Sequence, residues 1–217
     1  MQLKLYYFPR ACSRVTMNAL EEAGLTYELE VINILAGQQK SPEYLQIHPS
    51  GKVPALRVGD EILTENASIV SYLNESNPEA GLLPSVSSPL AQAQQRSDLI
   101  WCSGTVHPYL RQVRMPVRFT DGDTSGIEAK GHEYLSGVAQ QVNARVSEGG
   151  WWYGESWSIV DVYLTWIFGS AQSVGFAMEG YPAVIDLMAR VTDRPAFQRV
   201  LEKETAGAEA AGLVFPS

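Results

Sequence analysis

The chain has 217 residues, 45% of them hydrophobic and 18% charged, and a formal net charge of −8. That length suits one large domain or two small ones with a real core, and the acidic balance argues against nucleic acid and anionic membrane, which both need a basic face. No run of about 18 apolar residues escapes polar interruption, so no transmembrane helix is expected.

Met1-Gln-Leu-Lys-Leu-Tyr-Tyr enters strand pattern at once, without the basic region and apolar stretch of a signal peptide. Leu3 to Phe8 reads as a strand that Pro9 breaks. From Ser13, near-helical apolar spacing through Val15, Met17, Leu20 and Ala23 predicts a helix that stops at Gly24. Tyr27 to Ile32 alternates polar and apolar residues and reads as a second strand, parallel to the first across a right-handed crossover. A short helix is expected over Pro42 to Ile47. Val53 to Val58 and Glu61 to Thr64 form a hairpin around Gly59-Asp60, and Asn66 to Glu75 is a helix.

The proline- and serine-rich stretch 78–88 reads as a linker between a domain of residues 1–77 and a helical domain of residues 89–217. Helices are expected at about 89–115, 125–148, 158–175, 181–193 and 195–204, with a loose tail over 205–217. Ser158-Ile-Val-Asp161 has capping-box spacing, with Trp157 and Val162 where a hydrophobic staple would pack. It reads as a helix start with no catalytic role.

Cys12 follows a strand and stands at the start of a helix, where unpaired N–H groups and the helix dipole favour an anion. With Arg10 and Arg14 nearby, its thiol is expected to fall from about 8.5 toward neutrality. The plainer reading is a small packing residue. Cys12 and Cys102 lie too far apart for a CxxC or metal-ligand pattern; no metal is expected, and a reducing cytoplasm suits them. Val53-Pro54 raises the question of a cis bond, which only about 5–6% of X-Pro bonds adopt in folded proteins. Glu65-Asn66 enters a helix N-terminus, a ready anion site, although an acidic first turn needs no ligand to explain it. His107, in a helix and followed by Pro108, is by itself more often structural than catalytic.

Leu5-Tyr-Tyr-Phe-Pro-Arg-Ala-Cys-Ser-Arg14, Gly51-Lys-Val-Pro-Ala-Leu56 and Leu63-Thr-Glu-Asn-Ala-Ser-Ile69, in that order, resemble the glutathione transferases. The Cys12-Ser13 pair resembles the bacterial beta-like branch. The resemblance implies a thioredoxin-like βαβ-ββα domain followed by an all-helical domain, with glutathione as co-substrate and a cis bond at Pro54. It implies that the Val53 backbone pairs with the cysteinyl unit. Glu65 would face the γ-glutamyl ammonium while the N-terminus at Asn66 takes the carboxylate. Lys40 would contact the glycyl carboxylate, and Lys52 and Pro54 would border the same site. For thiol activation it ranks Cys12 first, Ser13 second and Tyr7 third, with His107 near the cysteine as a further candidate. A His-Pro-Ser-Gly run at His48 replaces the family's usual Asn-Pro-x-Gly, exchanging one turn-forming polar residue for another.

The resemblance also implies a small hydrophobic or aromatic electrophile, met by Trp101, Tyr109, Arg111, Arg114, Met115 and Phe119, with Trp166 and Phe168 more readily explained as core. It implies a cytoplasmic homodimer engaged in detoxification, with no nucleic-acid or membrane partner. Two rival readings stay open: a glutathione-dependent thiol-disulfide oxidoreductase working through a Cys12 mixed disulfide, and a non-catalytic ligand carrier on the same fold.

Overall fold

In the computed structural model, which describes residues 2–215, β1 (Leu3–Tyr7) has Leu3, Leu5, Tyr6 and Tyr7 all buried, so both faces of the sheet must be covered. The sheet has order β2-β1-β3-β4, with β2 Glu28–Val31, β3 Ala55–Val58 and β4 Glu61–Thr64. β1 runs parallel to β2 and antiparallel to β3, and β3 and β4 form the expected hairpin. β3 begins only at Ala55, later than the expected Val53, because Pro54 has no N–H for the ladder. Strand alternation sends Tyr6 to one face, where it packs with Ile32, Ala55 and Tyr44 of α2 (Pro42–Ile47). Leu5 and Tyr7 point to the other face, with α1 (Ser13–Glu22) and α3 (Asn66–Ser76).

By contacts the chain forms two compact units, one running up to Leu82 and resuming at Asp193, the other Leu83–Thr192. The described residues from Asp193 onward therefore group with the sheet, whereas the sequence pattern expects residues 89–217 to form one helical domain. The expected tail at 205 is corrected. α9 (Pro195–Ala210) continues six residues past 204, with Glu204 and Ala208 buried. Its Ala-rich end is a good helix former, and Gly207 lets it lie against Tyr7 and Val31. The tail's last two positions, 216–217, fall outside the described residues. Ion pairs fasten α9 to α1: Arg194 Nε to Glu22 at 2.7 Å, Arg199 Nε to Glu21 at 2.6 Å, and Lys203 to Glu21.

The second unit holds α4 (Pro89–Trp101), α5 (His107–Arg114), α6 (Ser125–Gly149), α7 (Ile159–Gln172) and α8 (Pro182–Thr192). The single helix expected over 89–115 is split by a π-helical turn, Cys102–Val106. Pro108 explains the split: it offers no N–H, and its ring would collide with the carbonyl four residues earlier, so the ladder shifts register. α7 is the core helix, buried along almost its whole length. Its N-terminus carries the capping box. The buried Asp161 carboxylate accepts the Ser158 N–H at 2.8 Å, the Ser158 hydroxyl at 2.9 Å and the Trp152 N–H at 2.7 Å. Trp152 Nε1 and the Tyr153 hydroxyl meet on Asp98 Oδ2 at 2.9 and 2.7 Å, which anchors the loop before α7 to α4.

Two outcomes are expected. Burial pushes the Asp161 carboxyl up to about 6, whereas an unfolded aspartate titrates near ~3.9. Its folded pKa is raised, so folding takes up a proton between those values, and its contribution grows as pH falls from about 6 toward 4. Asp161→Ala should cost about 2–4 kcal/mol by leaving two buried N–H groups unpaired, and should remove that pH component, as denaturant melts from neutral pH down to about pH 4 will show. At the other end, a methyl at Gly207 would overlap the Tyr7 hydroxyl. Gly207→Ala should therefore destabilise by about 1–3 kcal/mol, and Tyr7→Phe should recover part of the loss in a double-mutant cycle.

Candidate functional site

The ladder registers decide where the site residues go. Tyr6 pairs with Ala55 and Ala55 with Thr64. The end of β1, the start of β3 and the end of β4 therefore lie side by side at one end of the sheet. Three chain segments leave from there: the turn to Cys12, the Val53-Pro54 step and Glu65. The Val53-Pro54 bond is cis, as the resemblance implies.

Cys12 stands at the N-cap of α1 and Glu65 at the N-cap of α3. The Asn66 side chain binds the two helix starts together. Its Nδ2 donates to the Cys12 carbonyl at 3.0 Å and its Oδ1 accepts the Thr16 hydroxyl at 2.7 Å, all three residues being buried. The N-termini of two helices are thereby gathered at one corner, although in α1 the Ala11 carbonyl takes the Arg14 N–H at 3.0 Å and the Cys12 carbonyl the Val15 N–H at 3.1 Å. Both dipoles favour negative charge there. Asn66's side chain is used internally, so any anion would meet backbone N–H groups instead. Thr16 is a participant that sequence reading passed over. Its only signal is a polar residue set among the apolar positions of the first helix.

The Cys12 sulfur donates to the Val53 carbonyl at 3.4 Å. A thiolate could not donate this hydrogen bond, so the contact belongs to the protonated thiol. The electrostatic push expected from Arg14 needs correction. Arg14 is ion-paired through Nε and Nη2 with Glu204, a buried carboxylate on α9, and the Nε contact is 3.1 Å. Arg10 stacks over the Phe215 ring, 4.7 Å from its centroid. Arg14's charge is neutralised by a partner that no local reading of the first helix could supply.

Ser13 is fully buried, its hydroxyl donating to the Phe8 carbonyl at 3.1 Å and accepting the Phe8 N–H at 3.3 Å. It shapes the β1–α1 turn from within. The Tyr7 hydroxyl donates to the Lys203 carbonyl of α9 at 3.5 Å. Burial and the nearby Glu204 push it up to about 12.

Glu65 is exposed and holds φ 66°, a left-handed backbone unusual for a residue with a side chain. Such conformations cost about 1–3 kcal/mol and cluster where a site needs them. Lys40 and Lys52 are both exposed. Lys40 Nζ donates to the Ser50 carbonyl at 3.2 Å, and the Lys52 carbonyl accepts the Tyr44 hydroxyl at 2.7 Å.

His107 belongs to the second unit, where it opens α5 as a buried ring set edge-on to Trp166 at 4.7 Å and Tyr163 at 6.5 Å. Trp166 and Phe168 are core residues. Trp101 stacks on Trp152 at 5.2 Å and Tyr109 meets Tyr134 at a tilt at 4.7 Å, while Phe119 is exposed. Burial pushes the Cys102 thiol well up, which leaves it unreactive. Among the described residues no group of acidic, histidine or cysteine side chains could hold a metal, and no helix is long and apolar enough to cross a membrane.

Known proteins resemble this arrangement over nearly the whole chain. Residues 1–75 match the family described as glutathione S-transferase, N-terminal domain. The sequence is 30% identical over 204 residues to the maleylacetoacetate isomerase of Pseudomonas aeruginosa, covering 92% of this chain and 94% of that one. A glutathione transferase homologue from Sulfitobacter, solved with bound glutathione, superposes with a TM-score of 0.84 at 30% identity, covering 93% and 98% of the two chains. The bacterial beta-class glutathione S-transferase of Sphingomonas chungbukensis superposes with a TM-score of 0.81 at 27% identity, over 93% and 98%. At that identity and coverage, the chain belongs to the glutathione S-transferase family.

Proposed function

We propose that the protein is a glutathione transferase that binds glutathione at the corner where α1 and α3 begin and activates its thiol for attack on a small hydrophobic electrophile. The observation that carries this reading is the convergence of Cys12, Val53 and the left-handed Glu65 on two helix N-termini bound together by Asn66. Glutathione has the matching chemistry. Its γ-glutamyl carboxylate suits the first-turn N–H groups of α3, its ammonium suits Glu65, and its cysteinyl backbone suits the edge offered by Val53. Lys40 and Lys52, exposed beside that edge, suit the glycyl carboxylate.

In this reading Cys12 is the thiol-activating group. Its S–H turns from the Val53 carbonyl to donate to the glutathione sulfur, and the N-terminus of α1 stabilises the thiolate. The glutathione S–H bond breaks with its proton passing to solvent, a sulfur–carbon bond forms, and the electrophile's leaving group departs. Ser13 and Tyr7 are assigned supporting places, since both hydroxyls have partners inside the protein. The likeness to a maleylacetoacetate isomerase favours a second reading on the same site, in which the thiolate adds to an unsaturated acid and later leaves after rotation about the former double bond. Assembly as a cytoplasmic homodimer belongs to the same proposal and would show as twice the 23.8 kDa chain mass in light scattering.

Titration calorimetry with glutathione tests the site. The wild type should bind saturably, and Glu65→Ala should weaken binding at least about tenfold, the loss of one charge-assisted contact. Glu65→Gly should weaken binding equally while raising stability by about 1 kcal/mol, because glycine accepts the left-handed backbone without strain. Absence of binding by the wild type at millimolar glutathione would refute the proposal. With an activated aryl halide, Cys12→Ala should lower kcat by about 10- to 1,000-fold with little change in glutathione affinity, whereas Tyr7→Phe should leave kcat near wild type.

A further inference from the structure

His48 is used by nothing described so far, yet it is 3% exposed and its Nδ1 has no hydrogen-bond partner among the described residues. Buried polar atoms in native proteins are nearly always paired. An orphaned ring nitrogen beside a binding loop therefore needs an explanation.

The residue caps the C-terminus of α2, where its N–H donates to the Tyr44 carbonyl at 2.8 Å. Its own carbonyl accepts the Gly51 N–H at 2.7 Å, closing the turn that delivers Lys52, Val53 and Pro54. Gly51 sits at φ 59°, and a Cβ there would run into the Gln39 carbonyl and the Lys40 side chain. Lys40 to the Ser50 carbonyl and Tyr44 to the Lys52 carbonyl brace the same turn. His48 thus lies at the root of the loop whose far end offers the Val53 backbone.

We propose that His48 is a positioning residue for the glutathione site, holding the 48–54 loop in place only while its imidazole is neutral, so that protonation of His48 weakens glutathione binding. The inference rests on the reading of Val53 and Glu65 as glutathione contacts. Its physical basis is a count of donors. In the neutral ring Nδ1 can remain a bare acceptor, whereas in the imidazolium both nitrogens are donors. Nδ1–H would then be a buried charged donor whose reachable acceptor, the residue's own carbonyl, already holds the Gly51 N–H that closes the turn, so the turn must loosen to satisfy it. The charged groups facing the ring are Glu65 from the start of α3, Lys52 from the loop and Lys40 from the turn before α2. Burial pushes the imidazole below its ordinary value; Lys52 and Lys40 act in the same direction, while Glu65 and a hydrogen bond to the residue's own backbone oppose them. An imidazolium would moreover compete with the glutathione ammonium for Glu65.

The test is calorimetric titration with glutathione across about pH 5 to 8, where histidine titrates and glutathione's own groups do not change charge appreciably until the alkaline end. Wild-type affinity should fall about tenfold from the neutral to the acidic side, the change expected when one proton must be released for binding. His48→Asn, which keeps a small polar group and takes up no proton, should give a flat profile whatever its affinity at neutral pH. His107 and Asp161 remain in that variant, so any slope they cause persists in it. If the variant does not fold, NMR titration of the wild-type His48 ring replaces it. Reciprocity requires saturating glutathione to lower the ring's midpoint by about one pH unit. A flat wild-type profile, a variant that keeps the wild-type slope, or an unmoved ring midpoint would overturn the inference while leaving the binding site intact. No saturable binding at any pH would overturn the site reading as well.

Discussion

The side chain of Asn66 is the constraint on which the corner depends. With one amide it satisfies the Cys12 carbonyl and the Thr16 hydroxyl, and so fixes the start of α3 against the start of α1. The three residues are buried, so these bonds form where water cannot compete and where an unmade partner would be costly. Everything the site offers follows from that placement. Both helices begin at one corner, with Cys12 at the N-cap of α1 and the left-handed Glu65 at the N-cap of α3.

Beside Cys12 the positive partial charge of a helix N-terminus is not reinforced by a free Arg14. Arg14, the arginine next to Cys12 on the helix, is spent on Glu204, and Arg10 lies over an aromatic ring. A thiolate at this corner would be stabilised by helix N-termini and hydrogen bonds, which are fixed in direction and need no reorganisation when charge develops. The arginine pairing serves a different purpose. Together with the Glu21 and Glu22 bridges it holds α9 along α1, and α9 in turn closes over Tyr7. The last helix in sequence is therefore part of the first unit's architecture.

Several elements could be read from short windows of sequence. The β-α-β opening, the Gly59-Asp60 hairpin and the Ser158–Asp161 capping box all depend on residues within a few positions of one another, and all are present. The π-helical turn at Cys102 was not read from the sequence, which expects one helix over 89–115; whether a helix containing a proline kinks, ends or shifts register depends on its neighbours. His48 was visible as a departure from a familiar motif. Its importance was not, because neither its burial nor its unpaired nitrogen can be seen in one dimension.

By itself the sequence determined the order of elements, the thiol at a helix start, the Val-Pro step and the acidic helix entry, because periodicity and turn chemistry act over a few residues. Only the tertiary structure decided which groups remain available for chemistry. Asn66 reaches across 54 residues to Cys12 and Arg14 across 190 to Glu204. Partners so distant are chosen by how the layers pack. A buried polar group takes whichever partner that packing places within hydrogen-bond reach, and so the same amide, hydroxyl or guanidinium that reads as a ligand contact in sequence can become a structural tie in the fold.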